Sequence, residues 1–213
     1  MKVLKKIGRV FVRSVIFLYC KAIYRVKIYG KNNIPKDGAV LFCGNHRNYL
    51  DPQVIVATSP REMRFIAKEE LSNNLFFRVL GNVFDVIYVK RDEKDISALK
   101  DSLKTLKNGE CLGLFPEGTR NGFEKNEGKI KNGASYLALK TDATIIPIGL
   151  VGKAKPLSKN AIIYGKPIDL SKFKGKKLSK EEEDEASIIL KDEIIKLAST
   201  DIKEIKKLKN VLY

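Results

Sequence analysis

Ala39-Val40-Leu41-Phe42-Cys43-Gly44-Asn45-His46-Arg47-Asn48-Tyr49-Leu50-Asp51-Pro52 decides how the rest of the chain is read. Its first five residues are an unbroken apolar run, too short for a helix and closed by glycine, as in a strand buried on both faces. Asp51-Pro52 then carries the signature of a helix start, a capping residue followed by proline at the first helical position. Strand, loop and helix in that order are the repeating unit of an α/β sheet. The loop between them holds His46, the one histidine of the 213-residue chain.

Outward from this stretch the same texture recurs. Strands are expected at 26–29, 64–67, 84–89, 111–115, 145–151 and 161–164. Helical periodicity occupies 94–107 and 129–140, with a shorter piece at 52–57. A last helix begins with a capping box, Ser179 with Glu182 three residues on, and a break is expected near 199–201 before a basic tail carrying Lys203, Lys206, Lys207 and Lys209. The Lys/Gly/Ser-rich stretch 169–180 reads as a surface loop. The fold expected is one α/β domain, a mixed and largely parallel sheet flanked by helices. Its parts are an N-terminal helix over 1–27, a core over 28–178, and a C-terminal helical segment over 179–213 that completes the same domain.

Residues 2–27 read as a single helix. Val3, Leu4, Ile7, Val10 and Phe11 share one face, and Lys2, Lys5, Lys6, Arg9 and Arg13 the other. The uncharged stretch 14–20 is far short of the roughly 20 residues that span a bilayer, and no small-residue cleavage site follows it. Two readings fit: a helix lying in the interface of an anionic leaflet, or one packed on its own domain with a solvated basic face.

The charge is unusual, 41 Lys plus Arg against 25 Asp plus Glu, a net +16. Such a surface attracts nucleic acid, acidic lipid headgroups or an acidic protein alike. The interleaved aromatics or helix-turn-helix pattern of a nucleic-acid binder is absent from the sequence. Cys20, Cys43 and Cys111 are scattered and read as reduced, buried thiols. With one histidine and no metal-ligand spacing, a metal site is not expected.

Two short segments carry chemistry. In the first, Asp51 lies five residues after His46, within reach of imidazole Nδ1 across a tight loop. It would fix the tautomer and leave Nε2 to accept a proton from a hydroxyl. Taken alone, the spacing fits a plain helix cap equally well. In the second, Phe115-Pro116-Glu117-Gly118-Thr119-Arg120, a strand runs into a turn whose glycine admits close backbone approach. The arginine supplies a fork suited to phosphate oxygens. Cys43, three residues before His46, raises the rival of a Cys–His acyl-enzyme, though its place in an apolar strand favours a core role.

Taken in order, these segments resemble the glycerolipid acyltransferase family, above all its bacterial 1-acylglycerol-3-phosphate acyltransferases. In that family the histidine and aspartate are the catalytic pair, which implies His46 and Asp51. The family's EGTR segment binds the acceptor's phosphate, which implies Glu117, Gly118, Thr119 and Arg120. Phe65-Ile66-Ala67-Lys68-Glu69-Glu70-Leu71 resembles a further block and implies Lys68 as a phosphate ligand. Val89-Lys90-Arg91 resembles the end of another and implies Arg91. Ile146-Pro147-Ile148-Gly149 resembles the proline-bearing fourth block. Asn48 stands where the family commonly has serine, and Gly81 lies farther from Arg91 than the family's glycine does.

The resemblance implies transfer of a fatty acyl group to the sn-2 hydroxyl of lysophosphatidic acid, giving phosphatidic acid. His46 would be the general base; glycerol 3-phosphate or another lysophospholipid remains an alternative acceptor. No cofactor is implied, and the donor is acyl-CoA or acyl-acyl carrier protein. The expected partner surface is an anionic membrane rather than nucleic acid, with the protein peripheral on the cytoplasmic face of the cell membrane.

Overall fold

The computed structural model describes residues 2–90, 95–121, 123, 130, 132–176, 178–202 and 205. Arg91 and the basic tail from 203, apart from Ile205, lie outside the described residues. Among the described residues the order is α1 (Lys2–Ala22), β1 (Val26–Tyr29), β2 (Val40–Gly44), α2 (Asp51–Thr58), β3 (Met63–Lys68), α3 (Leu75–Val83), β4 (Ile87–Val89), α4 (Ile96–Lys107), β5 (Cys111–Leu114), α5 (Gly133–Thr141), β6 (Thr144–Gly152), β7 (Asn160–Tyr164) and α6 (Lys180–Ala198).

The seven strands form one sheet in the order β1-β7-β6-β2-β5-β3-β4. β6, β2, β5, β3 and β4 run parallel; β7 is antiparallel to β6, and β1 follows β7. β2 is therefore central, and its carboxyl end, where crossover loops gather, carries His46. Alternation along β2 feeds two cores. Val40 and Phe42 join Val54, Ile55 and Phe65 on one face. Leu41 and Cys43 join Leu112, Leu137, Leu190 and Ile194 on the other, under α4, α5 and α6.

Three details depart from the sequence reading. α1 stops at Ala22, because Arg25 takes a left-handed φ of 47° and Val26 already pairs with Asn160 in the sheet, so the boundary expected at 27 falls inside β1. α3 was not expected, and it shortens the strand expected at 84–89 to β4: Phe84 caps the helix and Asp85 turns the chain at φ 51°. The loop expected at 169–180 contains a 3-10 turn, Ser171–Phe173, that buries Phe173. α6 begins with the complete capping box of Ser179 and Glu182.

α1 lies across α2 and reaches α3 with Arg9 and Arg13 turned inward. Arg9 donates to Val83 O at 2.9 Å and pairs with Asp85 at 2.6 Å and Glu62 at 3.0 Å. Lys5 also pairs with Asp85, and Arg13 donates to Ser59 O. Cys20 at its far end is buried, while Ile7, Val10, Phe11, Val15 and Leu18 face out. Val12, Ile16 and Cys20 pack on the core, so the helix is docked on its own domain with Arg9 and Arg13 turned in, Lys6 and Lys21 solvated, and a second apolar stripe exposed.

Candidate active site

β2 leaves the sheet at Gly44, and Asn45 fixes where it does so. The buried Asn45 side chain donates to Leu150 O at 3.1 Å and accepts from Leu150 N at 2.7 Å, prolonging the pairing with β6 by one side chain. Sequence reading passed over Asn45, although an asparagine directly after a buried strand was the available signal.

The next residue is His46. Its Nδ1 lies 3.0 Å from Asp51 Oδ2, and the same oxygen accepts from the peptide N–H of Asn48 at 2.6 Å and from that of Arg47. Asp51 is buried. It does not cap α2 as its position suggested: Leu50 is the N-cap, Asp51 is the first helical residue, and Pro52 follows. The carboxylate instead faces back into the loop, since loop N–H groups and the imidazole are the nearest donors it can satisfy. A carboxylate so placed only accepts, so Nδ1 carries the ring proton and Nε2 is left as the acceptor.

The second segment closes on the first. Pro116 and Glu117 occupy the centre of a turn closed by Gly118 N–H on Phe115 O at 3.0 Å, and Gly118 takes φ 68°, a region costly for any side chain. Glu117 is 3% exposed; its Oε1 accepts from His46 N at 2.6 Å and its Oε2 from Phe123 N at 3.0 Å. Through these two backbone amides the buried carboxylate braces the histidine loop. A carboxylate would in any case repel the phosphate that the resemblance assigned to it. Asn121 N donates to His46 O at 2.6 Å. Arg120 lies over the Tyr49 ring at 3.7 Å, and Thr119 beside it is half-buried.

Two cavities meet at His46. One, about 130 Å³, is lined by apolar groups including Ile16, Val56, Phe65, Phe77 and Leu80, and runs beneath α1 and α3. The unexpected α3 supplies part of its wall, and Gly81 admits the Tyr88 hydroxyl, which donates to Phe77 O at 3.3 Å. The other, about 390 Å³, passes between β3, β4, α4 and α5 and includes Lys68, Lys90 and Gly118. Lys68 stands at the end of β3 and is paired with the exposed Glu70. Lys90 immediately precedes Arg91 and was not singled out from the sequence.

Cys43 is not a nucleophile for this site. It is fully buried in the core beneath α4, α5 and α6, and burial pushes its thiol far above the ordinary value. Pro147 and Gly149 lie within β6, where Gly149 makes room for Leu197: a Cβ there would sit 2.5 Å from the leucine Cβ. That block is a packing joint between sheet and α6. Among the described residues no three His, Cys, Asp or Glu side chains gather as a metal set.

The model of the acyltransferase family matches residues 25–151, which include both chemical segments and the strands that carry them. The chain belongs to the acyltransferase family. Among relatives of this acyltransferase, 1-acyl-sn-glycerol-3-phosphate acyltransferase of Borreliella burgdorferi is 30% identical over 188 residues, 83% of this chain and 72% of that one. The enzyme of the same name from Bacillus subtilis is 29% identical, covering 70% of this chain and 76% of its own. The crystal structure of the 1-acyl-sn-glycerophosphate (LPA) acyltransferase PlsC from Thermotoga maritima shares the fold, with a TM-score of 0.65 over 92% of this chain and 83% of that one at 23% identity.

Proposed function

We propose that this acyltransferase moves a fatty acyl group from a thioester donor to the free hydroxyl of lysophosphatidic acid, giving phosphatidic acid. The observation that carries the reading is the His46–Asp51 pair standing where an apolar cavity meets a larger cleft that holds Lys68 and Lys90 at its edge. The apolar cavity suits an acyl chain, and the cleft suits a phosphate. Relatives carrying the name of that reaction support the choice of acceptor.

In the proposed reaction His46 Nε2 takes the proton of the acceptor hydroxyl as its oxygen attacks the thioester carbonyl. Asp51 stabilises the imidazolium, the C–S bond breaks, and the proton passes to the leaving thiolate. General-base catalysis of this kind contributes about 10²–10⁴-fold. Lys68, Arg91, Gly118 and Arg120 are the proposed phosphate-side groups, with Thr119 beside them, and they position the hydroxyl. The reaction needs no cofactor; acyl-CoA or acyl-acyl carrier protein serves as co-substrate.

The same reading puts the protein on a membrane surface, peripheral and on the cytoplasmic face. Its support is the outward apolar side of α1, continued by Leu75, Phe76 and Val79 of α3, all exposed. Exposed Lys21, Arg25, Lys153, Lys155 and Lys159 cluster where β1 and β7 begin, and residues 1–36 and 143–168 contain no Asp or Glu. Such a rim suits anionic headgroups. Among the described residues no helix is long and apolar enough to cross a membrane.

The test is thiol release from a long-chain acyl thioester in the presence of lysophosphatidic acid, with phosphatidic acid identified as product. Release should require the acceptor and should fall by about 10³-fold or more in a folded His46→Ala variant. Turnover that survives the substitution, or that runs without any acceptor, would remove this assignment.

A further inference from the structure

Phe115 stacks on the His46 ring, with centroids 4.1 Å apart and the planes 7° from parallel. Phe65 leans on Phe115 at 5.2 Å and 41°. Gly113, which pairs with Phe65 across β5 and β3, leaves room for this: a Cβ there would lie 2.4 Å from the Phe65 ring. The same segment holds the His46 peptide at both ends, its N–H on Glu117 and its C=O on Asn121 N–H. Asp51 restrains one edge of the imidazole, but a single hydrogen bond leaves the ring free to tilt about it.

We infer that Phe115 is a positioning residue for the base, and that Gly113 and Phe65 act through it. The flat phenyl face holds the imidazole plane that the Nδ1–Asp51 contact alone does not, so that Nε2 meets the acceptor hydroxyl in line. The segment from Phe115 to Asn121 is thereby first a clamp on the histidine from three sides: ring, amide and carbonyl. Its phosphate-side groups are carried on the same turn, which couples the place of the acceptor to the place of the base. This inference rests on His46 being the base.

With one histidine in the chain, its imidazole C–H resonances are unambiguous, and a phenyl face at van der Waals distance shifts them upfield. Phe115→Leu should move those resonances downfield and lower kcat about 10–100-fold with KM for both substrates unchanged. Phe115→Tyr, which keeps the flat ring, should restore both. Gly113→Ala should push Phe65 and produce the same pair of effects, relieved by adding Phe65→Leu. Melting curves confirm that each variant is folded; if Phe115→Leu does not fold, the Gly113→Ala and Phe65→Leu pair decides. Unmoved resonances or an unchanged kcat in a folded variant would overturn the inference while His46→Ala still tests the base. A raised KM with unchanged kcat would make Phe115 a substrate contact instead, which also overturns it.

Discussion

Helices α1 and α6 both carry apolar residues at helical spacing, set among lysines and arginines in α1 and mainly among carboxylates in α6, and they dock on opposite faces of the sheet with different groups turned inward. α6 turns Ala186, Leu190 and Ile194, all fully buried, toward β6 and shows its charges to solvent. α1 turns Arg9 and Arg13 toward the protein and leaves Phe11 69% and Leu18 65% exposed. The difference teaches that periodicity sets where the apolar stripe lies on a helix, while the groups waiting on the domain decide which way it points. Beneath α6 is a sheet face of aliphatic side chains. Beneath α1, Val12, Ile16 and Cys20 meet the core, but Asp85, Glu62 and the carbonyls of Val83 and Ser59 beside it offer acceptors that draw Arg9 and Arg13 inward as well.

The largest effect separating the two helices should be on folding. Leu190→Ala in α6 removes a fully buried side chain and should cost about 2–5 kcal/mol, whereas Val15→Ala on the outer side of α1 should cost no more than about 0.5 kcal/mol in water. Chemical denaturation of the detergent-free protein measures both, and a large cost for Val15→Ala would mean that its face is covered by protein.

The next effect reverses the roles. Phe11→Ser and Leu18→Ser should each weaken binding to anionic vesicles about tenfold or more, from the lost apolar transfer of roughly 1.5–3 kcal/mol per side chain. Ile188→Ser, on the 48% exposed side of α6, should leave it unchanged. Co-sedimentation reads this directly, and equal losses from both helices would erase the contrast.

The smallest effect concerns acid. Burial works to raise the Asp85 carboxyl, but hydrogen bonds from Lys5 and Arg9 outweigh it and hold the group below its ordinary value of 3.8. A lowered folded value contributes stability above pH 3.8 that fades as pH falls through it, so α1 should loosen below that point. Asp85 is partly solvated, so the change should be modest and weakened by salt. Hydrogen exchange of α1 amides would register it, and Asp85→Asn should already show the looser helix at neutral pH without the acid step.

Much of the sheet was legible because buried strands announce themselves as short apolar runs between turns. α3 was not, because it is only nine residues long and runs straight into the mostly apolar stretch 83–89, and its apolar side chains face solvent at Leu75, Phe76 and Val79 as well as the cavity at Phe77 and Leu80. Its start did carry a signal, Asn74, whose side chain accepts from Phe76 N at 3.0 Å and from Phe77 N. In the site, the spacing of His46 and Asp51 admitted the pair but fitted a helix cap equally well, and it was the order of both chemical segments together that favoured the pair. The bracing role of Glu117 could not be read there, because the two amides it accepts from lie 71 and 6 residues away, and a backbone amide leaves no mark in a sequence.

The sequence by itself determined most of the strands and the longer helices, the single histidine with a carboxylate five residues on, and the excess of positive charge. These depend on side-chain type and local spacing. Only the tertiary structure decided that Asp51 faces its loop instead of capping its helix, and that Glu117 and Phe115 hold the histidine. It alone decided that α1 turns Arg9 and Arg13 inward and leaves Phe11 and Leu18 outside. Each of those outcomes is a competition among donors, acceptors and surfaces brought together from distant parts of the chain, and the winner is set by what lies within hydrogen-bond or van der Waals reach after the sheet has formed.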